Sequence, residues 1–342
     1  MTNIESPSED IVQWARKVSV YRTPNTVRGA AEFVITVVPF ALLWFATYSA
    51  LEAGYIWLYA LLLLPTVGFL VRLFLIQHDC GHQAFFANQA ANNTIGRLIS
   101  VLTITPYDHW RHAHSIHHAT SGNLAKRGVG DVDTITVAEY QARSRWTRLR
   151  YRLYRNPAVM FGIGPFFIFV LQHRLPAGFM RSGWRPWAST MGTNVGIVCI
   201  SALLIALIGV RAFVLVQLPV MILSATVGAW LFYVQHQFES TYWAHGKQWN
   251  GRTAAMHGSS HYDLPPLLRW FTANIGVHHV HHLSSRIPFY RLQDVLRDHP
   301  ELRSIGRLTL WQSLKCIRLA LWDEEQRRMI SFRELQRRPA TV

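Results

Sequence analysis

The stretch Asn274-Ile275-Gly276-Val277-His278-His279-Val280-His281-His282 places four histidines within five residues. If this stretch is helical, His278, His281 and His282 stand at positions i, i+3 and i+4, so their imidazoles share one face of the helix. His279 then points away from that face. Whether the stretch binds a metal depends on whether the fold brings other histidines to the same place.

Two further histidine clusters lie upstream. The segment His78-Asp79-Cys80-Gly81-His82 has histidines at i and i+4, and His114-Ser115-Ile116-His117-His118 repeats the i, i+3, i+4 spacing. A single histidine, His236, follows an apolar run. The residues that we predict as metal ligands are His78, His82, His114, His117, His118, His236, His278, His281 and His282.

The composition predicts an integral membrane protein. Half of the 342 residues are hydrophobic and 15% are charged, whereas soluble domains carry about 25% charged residues. Four apolar runs, 33–51, 55–76, 191–210 and 212–235, each approach the ~20 residues that cross a bilayer. The links between the first two runs and between the last two are short. We therefore expect an all-α membrane protein, a single domain over 1–342, with four transmembrane helices in two hairpins.

Two charged residues accompany the first pair of runs. Glu32 lies at the edge of the first run, and Arg72 lies near the end of the second. We expect the Arg72 side chain to extend towards the headgroups and leave its charge in water.

Basic residues predict the orientation. Thirty-two of the 34 Lys and Arg residues fall within 1–30, 77–188 and 236–342. Positive charge near the ends of spans marks the cytoplasmic side, so these three segments and both termini should be cytoplasmic. All three histidine clusters and His236 would then lie on one side. The formal net charge of +15 could suit nucleic acid, but no nucleic-acid motif is present, and a basic surface facing anionic lipid is the simpler interpretation.

Three other segments have distinct patterns. The short apolar stretches 95–105 and 158–171 predict re-entrant or interfacial helices. Segment 143–155 alternates arginine with Trp, Tyr and Leu, which suits a helix on a headgroup layer or an ordinary solvated basic helix. Segment 308–322 has apolar residues at helical spacing, which predicts an amphipathic helix packed on the protein or on lipid.

Nine neutral imidazoles suit about two metal ions with four or five ligands each. A structural zinc site usually includes cysteine, and no cysteine joins these clusters at suitable spacing. Imidazole ligands suit Zn, Cu, Fe or Ni, so the ligand type alone leaves the metal open. The residues that we expect to orient ligands or to reach the metal or a bound water are Asp79, Asp108, Glu239, His279 and Asn274, the last because it lies one helical turn before His278.

At these residues the sequence resembles the membrane fatty acid desaturase family. The three histidine boxes of that family appear as HDCGH (78–82), HSIHH (114–118) and HHVHH (278–282). The flanking sequences HDCGHQAFF, FYVQHQFE and TANIGVHHVHHLSSRIPFYRL also match, and the resemblance extends over about 77–325. The flanks are most similar to bacterial and cyanobacterial acyl-lipid desaturases of the delta-12 (omega-6) type.

The resemblance implies two iron ions bound by the nine histidines, with His236 in the ligand set. It implies O2-dependent formation of a cis double bond in a lipid acyl chain by the di-iron centre itself, with no separate acid or base. Electrons would come from ferredoxin or a b-type cytochrome, as a separate protein, because no haem or Fe–S motif is present. We expect a bacterial inner membrane. The aromatic residues that could line a substrate tunnel are Phe85, Phe86, Trp110, Tyr233, Trp270 and Phe271.

Other functions remain open at this point. Membrane hydroxylases, carotenoid ketolases, acetylenases and alkane monooxygenases carry the same boxes, and box spacing does not separate them. A membrane metal carrier is a non-enzymatic alternative. A carrier needs ionisable groups along a path through the bilayer, and the predicted spans hold almost none.

Overall fold

Helices dominate the computed structural model, which describes residues 9–338. The α-helices are α1 (Glu9–Lys17), α2 (Thr26–Glu52), α3 (Ile56–Gly81), α4 (Gln89–Leu102), α5 (Tyr107–Thr120), α6 (Val137–Ala142), α7 (Arg145–Tyr154), α8 (Gly164–Phe166), α9 (Trp184–Ile208), α10 (Val210–His236), α11 (Gly251–His257), α12 (Pro266–Phe271), α13 (His278–Leu283), α14 (Leu292–Asp298), α15 (Leu310–Cys316) and α16 (Phe332–Gln336). The strands are β1 (Ile135–Thr136), β2 (His261–Asp263), β3 (Arg307–Thr309), β4 (Leu319–Asp323) and β5 (Arg328–Ser331).

The four predicted transmembrane helices are confirmed as α2, α3, α9 and α10, the described helices that are long and apolar enough to span a membrane singly. They contain 25 to 27 residues, or about 38–40 Å at 1.5 Å per residue. This exceeds the ~30 Å hydrocarbon core. The extra turns lie at the ends of α3 and α10 that carry His78 and His236. These two predicted ligands therefore lie on helical turns that continue directly from the spans.

The spans form two hairpins, as predicted. Residues 53–55 join α2 to α3, and Gly209 alone joins α9 to α10. Gly209 has φ of +80°, a left-handed conformation that favours glycine. The indole N–H of Trp44 on α2 donates to Gln217 on α10 at 2.9 Å. This bond links the two hairpins within the apolar layer, where an unpaired polar group is costly.

The expectation that Arg72 reaches the headgroups is wrong. Its side chain is buried, and the guanidinium lies 2.5 Å from the Glu32 carboxylate of α2. It also donates to the Trp270 carbonyl and stacks over the Trp270 ring, 4.1 Å from the ring centroid. A buried arginine needs a carboxylate and further acceptors. Arg72 therefore joins α2, α3 and α12, and places α12 against the histidine end of the spans.

The shorter predicted segments are helical. Segment 95–105 falls largely in α4. Segment 158–171 consists of π-helical turns on either side of α8, and it bends by 56° from α7. This bent pair has the length and composition of a fifth span or a re-entrant segment. Helix α7 corresponds to the basic segment 143–155, and its Trp146, Leu149 and Leu153 are exposed. Its contact with lipid remains a prediction.

The prediction of one amphipathic helix over 308–322 is wrong. Helix α15 ends at Cys316, and β4 follows, pairing with β1 in parallel and with β5 in antiparallel. Leu321 and Trp322 are buried in this small sheet. The helical spacing of Leu321 with Leu310 and Leu314 was coincidental, because the chain leaves the helix after Cys316 and Leu321 pairs with β1 and β5 instead. A second sheet pairs β2 with β3 in parallel.

Candidate metal centre

Five of the predicted ligands form one group, which we call the five-histidine group. It consists of His78, His82, His114, His118 and His281, whose nearest ring nitrogens all lie within 4.8 Å of one another. Helix α3 and its C-terminal cap contribute the first two, α5 the next two and α13 the last. The i, i+4 spacing on α3 and on α5 places each pair on one helical face, as the sequence predicts.

The other four predicted ligands form the four-histidine group. His117, His236 and His282 have ring nitrogens within 4.8 Å of one another, and Nε2 of His278 lies 3.0 Å from Nε2 of His236. Helices α5, α10 and α13 supply these residues. All nine histidines predicted as ligands therefore lie together, in adjoining groups of five and four.

Neighbouring histidines in the sequence separate into different groups. His117 joins the four-histidine group while His118 joins the five-histidine group, and His282 and His281 divide in the same way. Consecutive residues on a helix differ in direction by about 100°, so α5 and α13 each present imidazoles to both groups. The rings of His118 and His282 stack at the boundary, 4.0 Å between centroids and 9° between planes.

The distances between ring nitrogens fit metal coordination. Nε2 of His114 lies 3.1 Å from both His82 Nε2 and His118 Nε2, and Nε2 of His117 lies 3.1 Å from His236 Nε2. Two nitrogens each 2.0–2.1 Å from one ion, separated by tetrahedral or octahedral angles, stand about 2.9–3.4 Å apart. His114 Nε2 lies between two other ring nitrogens, but it carries either one proton or one lone pair and can form a hydrogen bond with only one of them. A shared cation can bind the lone pairs of all three nitrogens.

Burial favours the neutral imidazole at ligand positions of both groups. Desolvation, followed by repulsion from neighbouring imidazoles, lowers the pKa of His114, His118 and His282 well below the ordinary histidine value. Metal ligation requires the neutral ring with a free lone pair. The two groups are therefore in a state that binds a cation at neutral pH.

Asp131 is a functional candidate that the sequence analysis missed. Its carboxylate lies 2.5 Å from Nδ1 of His117, on the side of the ring away from the four-histidine group. A carboxylate at Nδ1 fixes the tautomer of an imidazole and leaves Nε2 free as a ligand. Nδ1 of His236 has a similar partner, the Gly258 carbonyl at 3.2 Å. The signal was present in sequence as an aspartate 13 residues beyond His118, but a loop separates the two, and no periodicity links them.

Asp79 lies against its neighbour His78, as expected from sequence. One carboxylate oxygen is 3.3 Å from His78 Nδ1, and the other accepts the Phe289 N–H at 2.6 Å. Asn274 lies differently from the expectation. Helix α13 begins at His278, and Asn274 stands before it in a turn with φ of +55°. Its side-chain amide donates to the Phe289 carbonyl at 3.1 Å. Asp79 and Asn274 therefore both form hydrogen bonds with the backbone of Phe289.

Three other expected neighbours lie outside both groups. Asp108 pairs with Arg97 at 2.9 Å, and the exposed Glu239 pairs with Arg328 at 3.1 Å. Neither carboxylate faces a ligand nitrogen, because each projects from its element towards an arginine at the surface. His279 is buried, and its ring packs 5.7 Å from that of His261. It points away from the groups, as its position in the box predicts.

Of the aromatic tunnel candidates, Trp110 is the one in ring contact with predicted ligands. It stacks on His114 with 4.6 Å between centroids. Phe232, which the sequence analysis did not single out, packs 5.1 Å from His117 and 5.3 Å from His236.

The remaining candidates pack elsewhere. Phe85 stacks on Phe289, with Phe86 beside it, Trp270 covers Arg72, and Phe271 packs on Phe69. The Tyr233 hydroxyl bonds to backbone carbonyls of the C-terminal region. These residues build the core around the metal groups.

Sequence comparison agrees with this geometry. The family model described as fatty acid desaturase matches residues 55–313, a segment that includes all nine histidines of the two groups. The chain belongs to the fatty acid desaturase family. The matched segment starts upstream of residue 77 and ends upstream of residue 325, so it overlaps most of the 77–325 region of resemblance.

Individual relatives of this desaturase share most of its length. A fatty acid desaturase of Bacillus subtilis is 43% identical over 330 residues, covering 96% of this chain and 93% of the relative. An sn-1 oleoyl-lipid 12-desaturase of Picosynechococcus is 27% identical, covering 79% of this chain and 78% of the relative. A chloroplastic omega-6 fatty acid desaturase of Glycine max is 26% identical, covering 64% of this chain and 51% of the relative.

These findings establish the general activity. The desaturase is an enzyme that introduces double bonds into fatty acids, and it carries the membrane helices and histidine clusters expected for the family. The resemblance drawn from the histidine boxes is confirmed, including the more distant similarity to cyanobacterial 12-desaturases.

Proposed function

We propose that this enzyme is an O2-dependent acyl-lipid desaturase that binds two iron ions, one at each histidine group. In the overall reaction a CH2–CH2 unit of an acyl chain becomes a cis CH=CH unit. One O2, two electrons and two protons are consumed, and two molecules of water form. The observation that carries the proposal is the meeting of five and four imidazoles in adjoining groups.

The bound irons would supply a centre for reducing O2 and for removing hydrogen from an unactivated carbon. The protein holds that centre in place. The Asp131 carboxylate and the Gly258 carbonyl accept hydrogen bonds from Nδ1 of His117 and His236, which aims both Nε2 atoms into the four-histidine group. Asp79, fixed by the Phe289 N–H, does the same for His78. All nine predicted ligands are imidazoles, which contribute no negative charge to offset that of the ions.

An unactivated methylene offers no charge or proton to bind, so apolar shape must place the chain. Gly228, Phe232 and His236 occupy one face of α10 at successive i+4 steps. A Cβ built at Gly228 would have no neighbouring atom within 4 Å, whereas Phe232 already contacts the four-histidine group. We infer that the acyl chain passes Gly228 and Phe232 on this face, with Trp110 as the wall beside the five-histidine group.

The acyl group belongs to a membrane lipid, and the new double bond is at position 12. The choice of a membrane lipid as substrate rests on the location of the site at the ends of membrane spans, where a lipid chain can enter without leaving the apolar phase. The position of the double bond is supported by similarity to relatives named sn-1 oleoyl-lipid 12-desaturase.

The histidine side of the membrane is cytoplasmic, in a bacterial inner membrane, and a separate ferredoxin or b-type cytochrome delivers the electrons. The concentration of Lys and Arg outside the spans supports this orientation. A basic docking surface suits an acidic donor, and its contribution to the association rate falls as salt rises.

Lipid analysis tests the proposal. The enzyme is expressed in a bacterium that makes oleoyl lipids but no dienoic acids, and the lipids are examined by mass spectrometry. We expect dienoic chains with a new double bond at carbon 12 for the wild type, and none for His118→Ala. The control His112→Ala changes an exposed histidine two residues from His114 and should leave product formation unchanged. Hydroxylated chains without new double bonds would instead support the hydroxylase alternative.

Metal analysis tests the cofactor. The purified enzyme should hold about two irons per chain, as two groups of histidines require. One tightly held zinc per chain, with no iron, would contradict the di-iron proposal while leaving family membership intact.

A further inference from the structure

A groove separate from the histidine groups lies between α4, the start of α5 and the start of α9. Its volume is about 500 Å³. Arg97 of α4 and Arg185 of α9 line it, and Trp184 stands at its edge with 73% of its surface exposed. We propose that this groove binds one anionic phospholipid molecule, with the headgroup phosphate between the two arginines.

The position along α9 supports a lipid. The groove residues run from Trp184 to Thr193, about 13 Å along the helix axis at 1.5 Å per residue. Helix α9 spans the membrane from this end, so the arginines lie at headgroup level and the deeper residues lie within the apolar layer. Tryptophan is typical of that boundary. A soluble anion would use only the outer part of such a groove.

Small residues make room for an acyl chain in the deeper part. Ala188, Ser189 and Gly192 line the α9 wall. A Cβ built at Gly192 would have no neighbouring atom within 4 Å. The Ser189 hydroxyl is engaged with the Asp108 N–H at 3.2 Å, and the Ser100 and Thr193 hydroxyls bond each other at 3.2 Å. These polar groups are paired, so an apolar chain can cover them without leaving an unsatisfied hydrogen bond.

The charge of the groove suits one negative charge. Asp108 forms a two-point contact with Arg97, at 2.9 and 3.2 Å. Among residues 11–338, whose side chains the structure describes, no carboxylate lies at ion-pair distance from Arg185. Two arginines and one aspartate leave a net charge of +1, which a single phosphodiester neutralises. Arginine binds phosphate with strong, charge-assisted hydrogen bonds.

The experiment uses the full-length protein in lipid nanodiscs made from phosphatidylglycerol and phosphatidylcholine in equal parts. Native mass spectrometry after transfer to detergent counts the lipids that stay bound. The wild type should retain one phosphatidylglycerol. Arg185→Gln should lower its retention about tenfold, since losing one charge-assisted contact is worth about 1.4 kcal/mol or more. Gly192→Leu should lower it as well, by filling the space for the chain.

Two matched controls accompany these variants. Arg318→Gln removes an exposed arginine far along the chain, and Gly162→Leu adds the same side chain at another glycine with open space around it. Both should retain the lipid. The melting temperature of each variant in detergent shows that it is folded. Equal retention of phosphatidylcholine, displacement by inorganic phosphate alone, or retention by both test variants would each overturn the proposal.

Discussion

The carboxylate of Asp131 lies 2.5 Å from Nδ1 of His117, on the opposite side of the imidazole from the four-histidine group. We predict that Asp131→Ala weakens iron binding 10–100-fold, the usual cost of losing a carboxylate behind a metal-bound histidine. The measurement is iron content per chain after dialysis against a graded chelator. Asp133→Ala is the control, because Asp133 is an exposed aspartate two residues away. Equal iron retention in both variants would remove Asp131 from this role.

His282 and His279 lie three residues apart on the short helix α13. Replacing each by alanine should have a different effect on iron content and on stability. His282→Ala removes one nitrogen of the four-histidine group, so we expect loss of iron from that group and no detectable dienoic product. His279 lies outside both groups, and its replacement should lower thermal stability through a buried cavity while iron content stays near the wild-type value. Iron analysis and melting curves on the same preparations separate the two effects. A His279→Ala protein that lacks iron would contradict this assignment.

The buried pair of Arg72 and Glu32 predicts a non-additive effect on stability. Arg72→Met leaves Glu32 buried, with exposed Arg28 as its remaining ionic partner at 2.7 Å. The loss should be about 3–5 kcal/mol, because the Glu32 charge stays inside the protein with only the exposed Arg28 to offset it. The double variant Arg72→Met/Glu32→Gln should recover most of this loss.

Unfolding of the three proteins in detergent, followed by circular dichroism, measures the coupling between Arg72 and Glu32. If the double variant is no more stable than Arg72→Met, the pair contributes through something other than its charge.

Gly228 tests the path of the acyl chain. Gly228→Leu should fold, because a side chain there begins in open space, but its added carbons would occupy the face of α10 that leads to His236. We expect kcat/KM for an oleoyl lipid to fall at least 10-fold, because one methylene of misfit in an apolar site costs about 10–200-fold and leucine adds four carbons. Gly162→Leu is the control. Unchanged kinetics and an unchanged double-bond position in the Gly228→Leu enzyme would place the acyl chain elsewhere.

The sequence predicted much of this protein because its strongest signals are local. Apolar runs of about 20 residues marked four spans, and histidines at i, i+3 and i+4 marked the ligand faces of α5 and α13 without any knowledge of contacts. The nine histidines predicted as ligands all lie in the two groups.

The contacts that sequence reasoning missed depend on chain segments far apart or without periodicity. Asp131 reaches His117 from a loop, and Arg72 finds Glu32 across a hairpin, 40 residues away. The helix predicted over 308–322 failed for a related reason. The spacing of Leu321 fitted a helix, but its strand partners Ile135 and Ile330 come from other segments of the chain.

The division of neighbouring histidines between the two groups has a consequence for assembly. His117 and His118 are consecutive, as are His281 and His282, so an ion bound at either group fixes the backbone that carries ligands of the other. The first ion then meets most of the ordering cost, and the second binds to ligands already in place. Titration of the iron-free enzyme should therefore show cooperative loading, with chains holding a single iron scarce at every stage.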